Sequence, residues 1–382
     1  MTTTGQGHTT RGTTSWGAGV ARRSRVRGVL LGGAVGDALG NPVEFLSLDG
    51  IRRDHGERGI RGPVPDPDGV VGRITDDTQM TLFTVEGLIR AHARASAKGI
   101  PGAEAEFVRN AYLRWLDTQN HLSPPPRAGD EPVRTGWLRQ QPWLYARRAP
   151  GNACLTGLVS GHVPGAGAPL ALPGPVNPQS KGCGTVMRSA PFGLLGADAG
   201  TAFALAARCA LITHGHPTGA YAAGALAAIV THLLEGDSPL GSVLRAMDLL
   251  GRHRGHEETT AALRAAVDLA DRGRPTAERV ESLGAGWVAE EALAVAVYCA
   301  LVLPGADDVA EALLLSVNHS GDSDSTGSVC GNLLGAHHGD VRLPASWLAL
   351  TEGRSVIAEL ADDLCMELEQ PVSWPDGRYP QY

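Results

Sequence analysis

Apolar residues recur at three- and four-residue spacing along almost the whole chain. From Thr75 the segment TDDTQMTLFTVEGLIRAHARA sets Leu82, Val85 and Ile89 on one face, which is the period of an amphipathic helix. The pattern returns over residues 202–212, 219–234, 240–250, 259–269, 289–303 and 309–317, in sequence rich in the helix formers Ala and Leu. Alternating β-branched runs of strand length are nearly absent. Small residues let helices approach closely, and helices packed only on helices give an all-α architecture. The expected fold is a compact single-domain orthogonal helical bundle.

Two stretches interrupt the periodicity. Residues 49–73 include HGERGIRGPVPDPDGVVG, and residues 123–178 are dominated by Pro and Gly, with Trp137 and Trp143 between. Loops this long act as lids, binding loops or linkers. No internal repeat or domain-sized shift in composition separates the flanking helices. The expected division is a flexible N-terminal tail (1–23), one helical domain (24–370) with long Pro/Gly-rich functional loops, and a C-terminal tail (371–382).

Composition narrows the class. Hydrophobic residues are 43% and charged residues 19% of the chain, enough for a large core and unlike a disordered polymer. The longest apolar run, residues 292–303, falls short of the roughly 18 residues that span a membrane. The first 23 residues lack the continuous apolar core of a signal peptide. A soluble, cytoplasmic protein with no membrane partner is expected. A net charge of −7 argues against a broad nucleic-acid face, although it does not exclude a local basic patch. The six cysteines form no C-x-x-C pair, which is wrong for structural zinc and too sparse for a disulfide framework. Buried, reduced thiols are expected.

The chemistry concentrates in two acidic clusters, each placed where a helix should begin. One is Thr75-Asp76-Asp77-Thr78; the other is Ser320-Gly321-Asp322-Ser323-Asp324-Ser325-Thr326-Gly327. Helix capping explains one or two residues of each, because Thr, Ser and Asp cap N-termini and acids favour the positive end of the helix dipole. Each cluster holds more acid than a cap uses. If the clusters converge, two carboxylates about 4 Å apart repel by roughly 4 kcal/mol at an effective dielectric near 20. Four in one pocket would then exceed a typical net stability of about 5–15 kcal/mol, so the group must take up protons or cations. Two divalent ions would match Asp76, Asp77, Asp322 and Asp324 charge for charge; a bare carboxylate dyad is the alternative. The available donors are oxygens, including the Thr75 and Ser325 hydroxyls, which select hard ions such as Mg²⁺ or Mn²⁺ over zinc. Asp322-x-Asp324-x-Thr326-Gly327 imitates the start of an EF-hand loop, but its twelfth position is Leu333 where a bidentate Glu is required.

A third element is GGAVGDALGNPVE, residues 32–44. No Gly-Lys-Ser/Thr follows its glycines, so it is not a phosphate loop. Gly32, Gly33 and Gly36 suit close helix packing, and Asp37 suits a structural role. Glu44, after a Pro in a loop, is either a movable carboxylate or a solvated one.

GAVGDALGNPVE, TDDTQM, NPQSKGCGTVMRSAP, THGHP and SGDSDSTGS, in this order over most of the chain, resemble the ADP-ribosylglycohydrolase family. The resemblance implies an all-α fold, two divalent cations (Mg²⁺ or Mn²⁺) and hydrolysis of the bond between ADP-ribose and an acceptor. It implies metal ligands at Thr75, Asp76, Asp77, Asp322, Asp324 and Ser325, with Glu44 on a loop that gates the site. Glu44, Asp77 and Asp324 are thus the candidate catalytic residues. Ser180, Lys181, Gly182, Cys183 and Gly184 match the segment that contacts ADP-ribose, and His214 matches a histidine on the adenosine side. Cys183 stands where asparagine is common, and Ser320, Ser323 and Ser325 depart from the usual Gly-Gly-Asp-Thr-Asp-Thr. The expected partner is an ADP-ribosylated protein or other acceptor, with ADP-ribose as product. A non-catalytic, crystallin-like ADP-ribose binder and a binuclear phosphohydrolase are the competing readings. The loop 123–178 is a candidate for acceptor specificity, through Arg134, Arg139 or its tryptophans, for which packing is an equal alternative.

Overall fold

The computed structural model describes residues 11–370 and 372–381. Its helices are, in order, α1 (Arg11–Gly40), α2 (Leu48–His55), α3 (Asp76–Lys98), α4 (Glu104–Asn120), α5 (Asn152–Val159), α6 (Ala199–Ala210), α7 (Pro217–Glu235) and α8 (Pro239–Leu250). They continue with α9 (Glu257–Ala270), α10 (Ala277–Glu281), α11 (Ala289–Val302), α12 (Val309–Val317), α13 (Ser323–His338), α14 (Ala345–Leu350) and α15 (Arg354–Glu369). Short 3-10 turns join several of these. Among the described residues there is no strand, only isolated bridges such as Gly182 with Val288. The all-α single-domain expectation is met.

The helices at the centre are buried on every side, as an apolar circumference requires. Pro217 opens α7 at its first turn, where a missing N–H costs nothing, and Gly236 closes it in the left-handed conformation. By length and composition α7 is apolar enough to cross a membrane, but 89% of its most apolar window is buried inside the fold. Its apolarity serves the core.

The seam that positions the site runs between α1 and α13. Gly28, Gly32, Gly36 and Gly40, one turn apart on α1, face Gly335, Gly331, Gly327 and Ser323 on the antiparallel α13. A Cβ on Gly36 would stand 1.9 Å from the Gly327 carbonyl oxygen, and one on Gly32 would stand 2.3 Å from that of Gly331. The two backbones touch because no side chain lies between them. Gly33 is excluded from carrying one by Asn332, whose Nδ2 would be 2.2 Å away and donates to the Val29 carbonyl.

Both expected tails look different where they are described. Residues 1–10 lie outside the described residues, and from Arg11 onward the chain is already helical. At the other end Tyr379 is buried, its hydroxyl donating to Asp363. Arg378 pairs with Asp363 and Glu359, so this segment is docked on α15.

Candidate metal centre and ligand pocket

Three local structures deliver the acids. Thr75 caps α3, its hydroxyl accepting from the Asp77 N–H at 3.3 Å, so Asp76 and Asp77 fill the first turn of that helix. Asp322 caps α13 by accepting from the Ser325 N–H, which puts Asp324 in that helix's first turn. The glycine seam then holds the N-terminus of α13 against the C-terminus of α1, where the chain turns through residues 41–43 to Glu44. Capping and clustering are therefore one arrangement, each cap using a single oxygen.

Asp76, Asp77, Asp322, Asp324, Ser325 and Glu44 line one cleft of about 280 Å³. Oxygens of Glu44, Asp322 and Asp324 lie within 4.8 Å of one another. Among the described residues no Lys or Arg lines the cleft. Burial, and then the charge of Asp324, push Asp76, Asp77 and Asp322 well above the usual carboxylate range. The same causes, in the same order, raise Glu44 to about 10. One oxygen of Asp77 is buried with no hydrogen-bond partner. A buried, unpartnered carboxylate oxygen among other carboxylates is costly unless a cation or a proton sits beside it, and the donor set of hard oxygens fits divalent Mg²⁺ or Mn²⁺.

Asp37 lies beneath this layer. Its carboxylate accepts from the N–H groups of Thr75 (3.0 Å) and Thr78 (3.1 Å) and from the Thr78 hydroxyl. It ties α1 to the first turn of α3, the structural role its sequence context suggests. Burial, and then Asp324, raise it to about 7.

The opposite wall comes from residues 180–184. Ser180, Gly182, Cys183 and Gly184 line the cleft together with His214. Lys181 does not. Its ammonium pairs with Glu258 and Glu290 outside the cleft, so the lysine anchors the loop to α9 and α11 instead of reaching a ligand. Thr75 is likewise absent from the lining, its hydroxyl serving the cap. Cys183 sits against Asp322, and burial followed by that carboxylate's charge holds its thiol well above its ordinary range.

Several lining residues carried no signal in the sequence. Trp287 follows two glycines in an unremarkable loop, yet it lines the cleft and stacks on Phe45 at 5.8 Å between ring centroids. Phe45 adjoins Glu44, and both rings are exposed at the rim. Ala149, Gly151, Asn152 and Cys154 bring the end of the Pro/Gly-rich loop to the cleft. Ala149 holds a left-handed φ of 52°, a conformation that L-residues rarely keep away from functional sites. Beside it, the Gly151 backbone opposes the rise of the Asp76 carboxyl by favouring its charged form.

The other residues of loop 123–178 proposed for acceptor contact are occupied within the fold. Arg134 pairs with Asp117, and Arg139 is buried against the Pro125 carbonyl. Trp137 packs on Tyr379 under Arg378, and Trp143 lies against Gly353. A wider cleft of about 510 Å³ near Arg52, Asn318 and Leu314 holds none of the acidic clusters; chemistry, not volume, selects the smaller one.

Residues 18–373 match the family model of ADP-ribosylglycohydrolase. The ADP-ribosyl-dinitrogen reductase glycohydrolase of Rhodospirillum rubrum is 26% identical over 87% of this chain and 91% of its own. The ADP-ribosylhydrolase ARH3 of Bos taurus is 27% identical over 91% and 94%. A solved structure described as an ADP-ribosylglycohydrolase-related protein complex superposes with a TM-score of 0.60 at 26% identity, covering 90% of this chain and 98% of the other.

Proposed function

The chain belongs to the ADP-ribosylglycohydrolase family, and on that premise we propose that it is a metal-dependent hydrolase releasing ADP-ribose from a mono-ADP-ribosylated acceptor. The observation that carries this reading is the meeting of five buried carboxylates, from two helix N-termini and the Glu44 loop, in a cleft that no Lys or Arg lines among the described residues.

In this reading Asp76, Asp77, Asp322, Asp324 and Ser325 hold two divalent cations, Mg²⁺ or Mn²⁺, and the unpartnered Asp77 oxygen is one of the ligand atoms. Thr75 acts by capping the turn that aims Asp76 and Asp77. Such ions, when bound, supply Lewis acidity and lower the pKa of water at the site. Glu44 keeps its proton while the cluster is bare. It gives the proton up as the surrounding negative charge is neutralised, and the resulting carboxylate can orient or deprotonate water. The loop 180–184 faces the diphosphate. Its Ser180 and Cys183 N–H groups are committed to the carbonyls of Asn177 and Trp287, and of the remaining residues of the loop Gly182 and Gly184 line the cleft, so their N–H groups are the donors for a ligand. Both N- and O-glycosidic acceptors are compatible with these residues.

The test is release of ADP-ribose from arginine-, serine- and nucleobase-linked substrates, each with Mg²⁺, Mn²⁺ or chelator. Release that depends on metal supports the proposal. Tight ADP-ribose binding without release in any condition would instead identify a binder, and AMP plus ribose phosphate would identify a phosphohydrolase.

A further inference from the structure

Behind the cleft lies a buried cation without an anion. Arg188 is about 1% exposed, and among the described residues its guanidinium meets no carboxylate. Nη1 points to the sulfurs of Met80 (3.5 Å) and Cys154 (3.4 Å), Nη2 donates to Thr213 Oγ1 at 2.6 Å, and the plane lies 4.5 Å from the Tyr112 ring centroid.

This arrangement fixes the direction of the next hydrogen bond. A guanidinium only donates, so the Thr213 hydroxyl accepts from Arg188. Thr213 is fully buried, and its remaining partner is His214 Nδ1 at 2.7 Å. If Nδ1 carried the proton and donated, the hydroxyl proton would be buried with nothing to accept it, a costly arrangement. The hydroxyl therefore donates, Nδ1 accepts, and the ring proton resides on Nε2. Burial and the charge of Arg188 lower His214 to about 3, so the ring stays neutral and the two nitrogens keep distinct roles.

Nε2 has no hydrogen-bond partner among the described residues. It borders the cleft beside Gly182 and Gly184, where added Cβ atoms would stand 3.3 and 3.4 Å from it. We propose that Arg188 and Thr213 are positioning residues that fix His214 as the neutral Nε2–H tautomer, so that the cleft presents a directed donor to an anionic oxygen of its ligand. Arg188 adds an unneutralised positive charge on the same side, which favours a phosphate oxygen over a neutral acceptor. The ligand half of this inference rests on the cleft being an ADP-ribose site; the tautomer half does not.

Long-range ¹H–¹⁵N correlation spectra of the full-length protein, labelled at histidine and assigned with His214→Asn, test the tautomer directly. The wild type is expected to show Nε2–H only, and Thr213→Ser to keep that pattern. A spectrum with the proton on Nδ1, or averaged between the nitrogens, overturns the proposal. In calorimetric titrations, Thr213→Val is expected to weaken ADP-ribose and ADP alike by about tenfold, with Thr213→Ser near wild type and adenosine unaffected. Unchanged affinity for ADP in Thr213→Val overturns the phosphate contact. If Thr213→Val does not fold, the wild-type and Thr213→Ser spectra still decide the tautomer. If the wild type binds no ADP-ribose, the reading of the cleft fails while the tautomer result stands.

Discussion

Gly36→Ala tests whether the helix seam sets the geometry of the acidic cluster. An alanine Cβ at this position would lie 1.9 Å from the Gly327 oxygen and 2.3 Å from its carbonyl carbon. Ordinary contact begins near 3.4 Å, so α1 and α13 must part by about 1.5 Å. Neither clashing atom can swing aside, because both are backbone in a helix interior. Overpacking of this kind costs about 1–3 kcal/mol, whereas the better helix propensity of alanine returns at most about 1 kcal/mol. With the full propensity gain subtracted, net destabilisation of up to roughly 2 kcal/mol is expected. Gly19→Ala is the control. It lies in the same helix with nothing within 4 Å of the added carbon, so it should gain a few tenths to about 1 kcal/mol. Urea unfolding of both variants in chelator reads the two signs. Gly40→Ala extends the test to the site, since its Cβ would meet the Asp324 N–H nitrogen at 2.3 Å. A displacement near 1 Å at a reacting centre costs about 10²-fold in activity, and metal affinity should fall with it. If Gly36→Ala matches or exceeds wild-type stability, the helices are not in backbone contact and this account of the site's placement is wrong.

Three further outcomes follow from the charges and rings of the cleft. Because burial and mutual repulsion raise Glu44 to about 10, Asp37 to about 7 and Asp76, Asp77 and Asp322 well above normal, the metal-free fold binds more protons than the unfolded chain. Its stability should fall as pH rises across neutrality, and Mg²⁺ should bind with proton release; calorimetry giving the same heat in buffers of different ionisation enthalpy would contradict this. Asp77→Asn replaces a carboxyl whose ionisation that cluster penalises with a neutral amide. It should raise the unfolding midpoint in chelator while lowering ADP-ribose release by about 10²-fold or more, and a lower midpoint would show that Asp77 is not repelled there. Phe45→Ala removes a stack worth about 0.5–1.5 kcal/mol from the residue next to Glu44. The expected result is reduced turnover with ADP-ribose affinity retained, read by single-turnover kinetics and titration; loss of affinity in equal measure would place the ring in the ADP-ribose subsite.

The all-α fold and the acidic cluster were legible because each rests on local pattern. Amphipathic spacing identifies helices, and four aspartates in two short segments with no Lys or Arg among them signal a shared counter-ion problem. Residues whose roles depend on where a side chain goes were harder to read. Lys181 belongs to the ligand-facing segment, but its long side chain finds Glu258 and Glu290, which are 77 and 109 positions away. Arg134 and Arg139 resemble free loop cations and are spent on Asp117 and Pro125. Trp287 and Phe45 lie more than 200 positions apart in unremarkable contexts, and only the bridge between Gly182 and Val288 together with the turn after α1 brings them to one rim. Arg188 sits in the same stretch as the ligand loop, but no local pattern reveals that it meets no carboxylate among the described residues.

The architecture also explains why this fold can tolerate so many clustered acids. Carboxylates at the first turns of α3 and α13 face the positive ends of two helix dipoles, and on α13 Asp322 and Asp324 also accept from the Ser325 N–H, which partly offsets their repulsion. Those offsets are directional, and they operate only while both N-termini point at one place. Asp37 secures the first by gathering the Thr75 and Thr78 N–H groups; the glycine seam secures the second by leaving no slack between backbones. The offset is incomplete, as the raised carboxylates and the unpartnered Asp77 oxygen attest. A scaffold that holds like charges closer than their own interactions favour makes proton or cation uptake the route to relief. Rigid helix packing thus creates the affinity, and Glu44, on the turn after α1 and beside the exposed Phe45–Trp287 stack, is the carboxyl placed to respond to it through its proton.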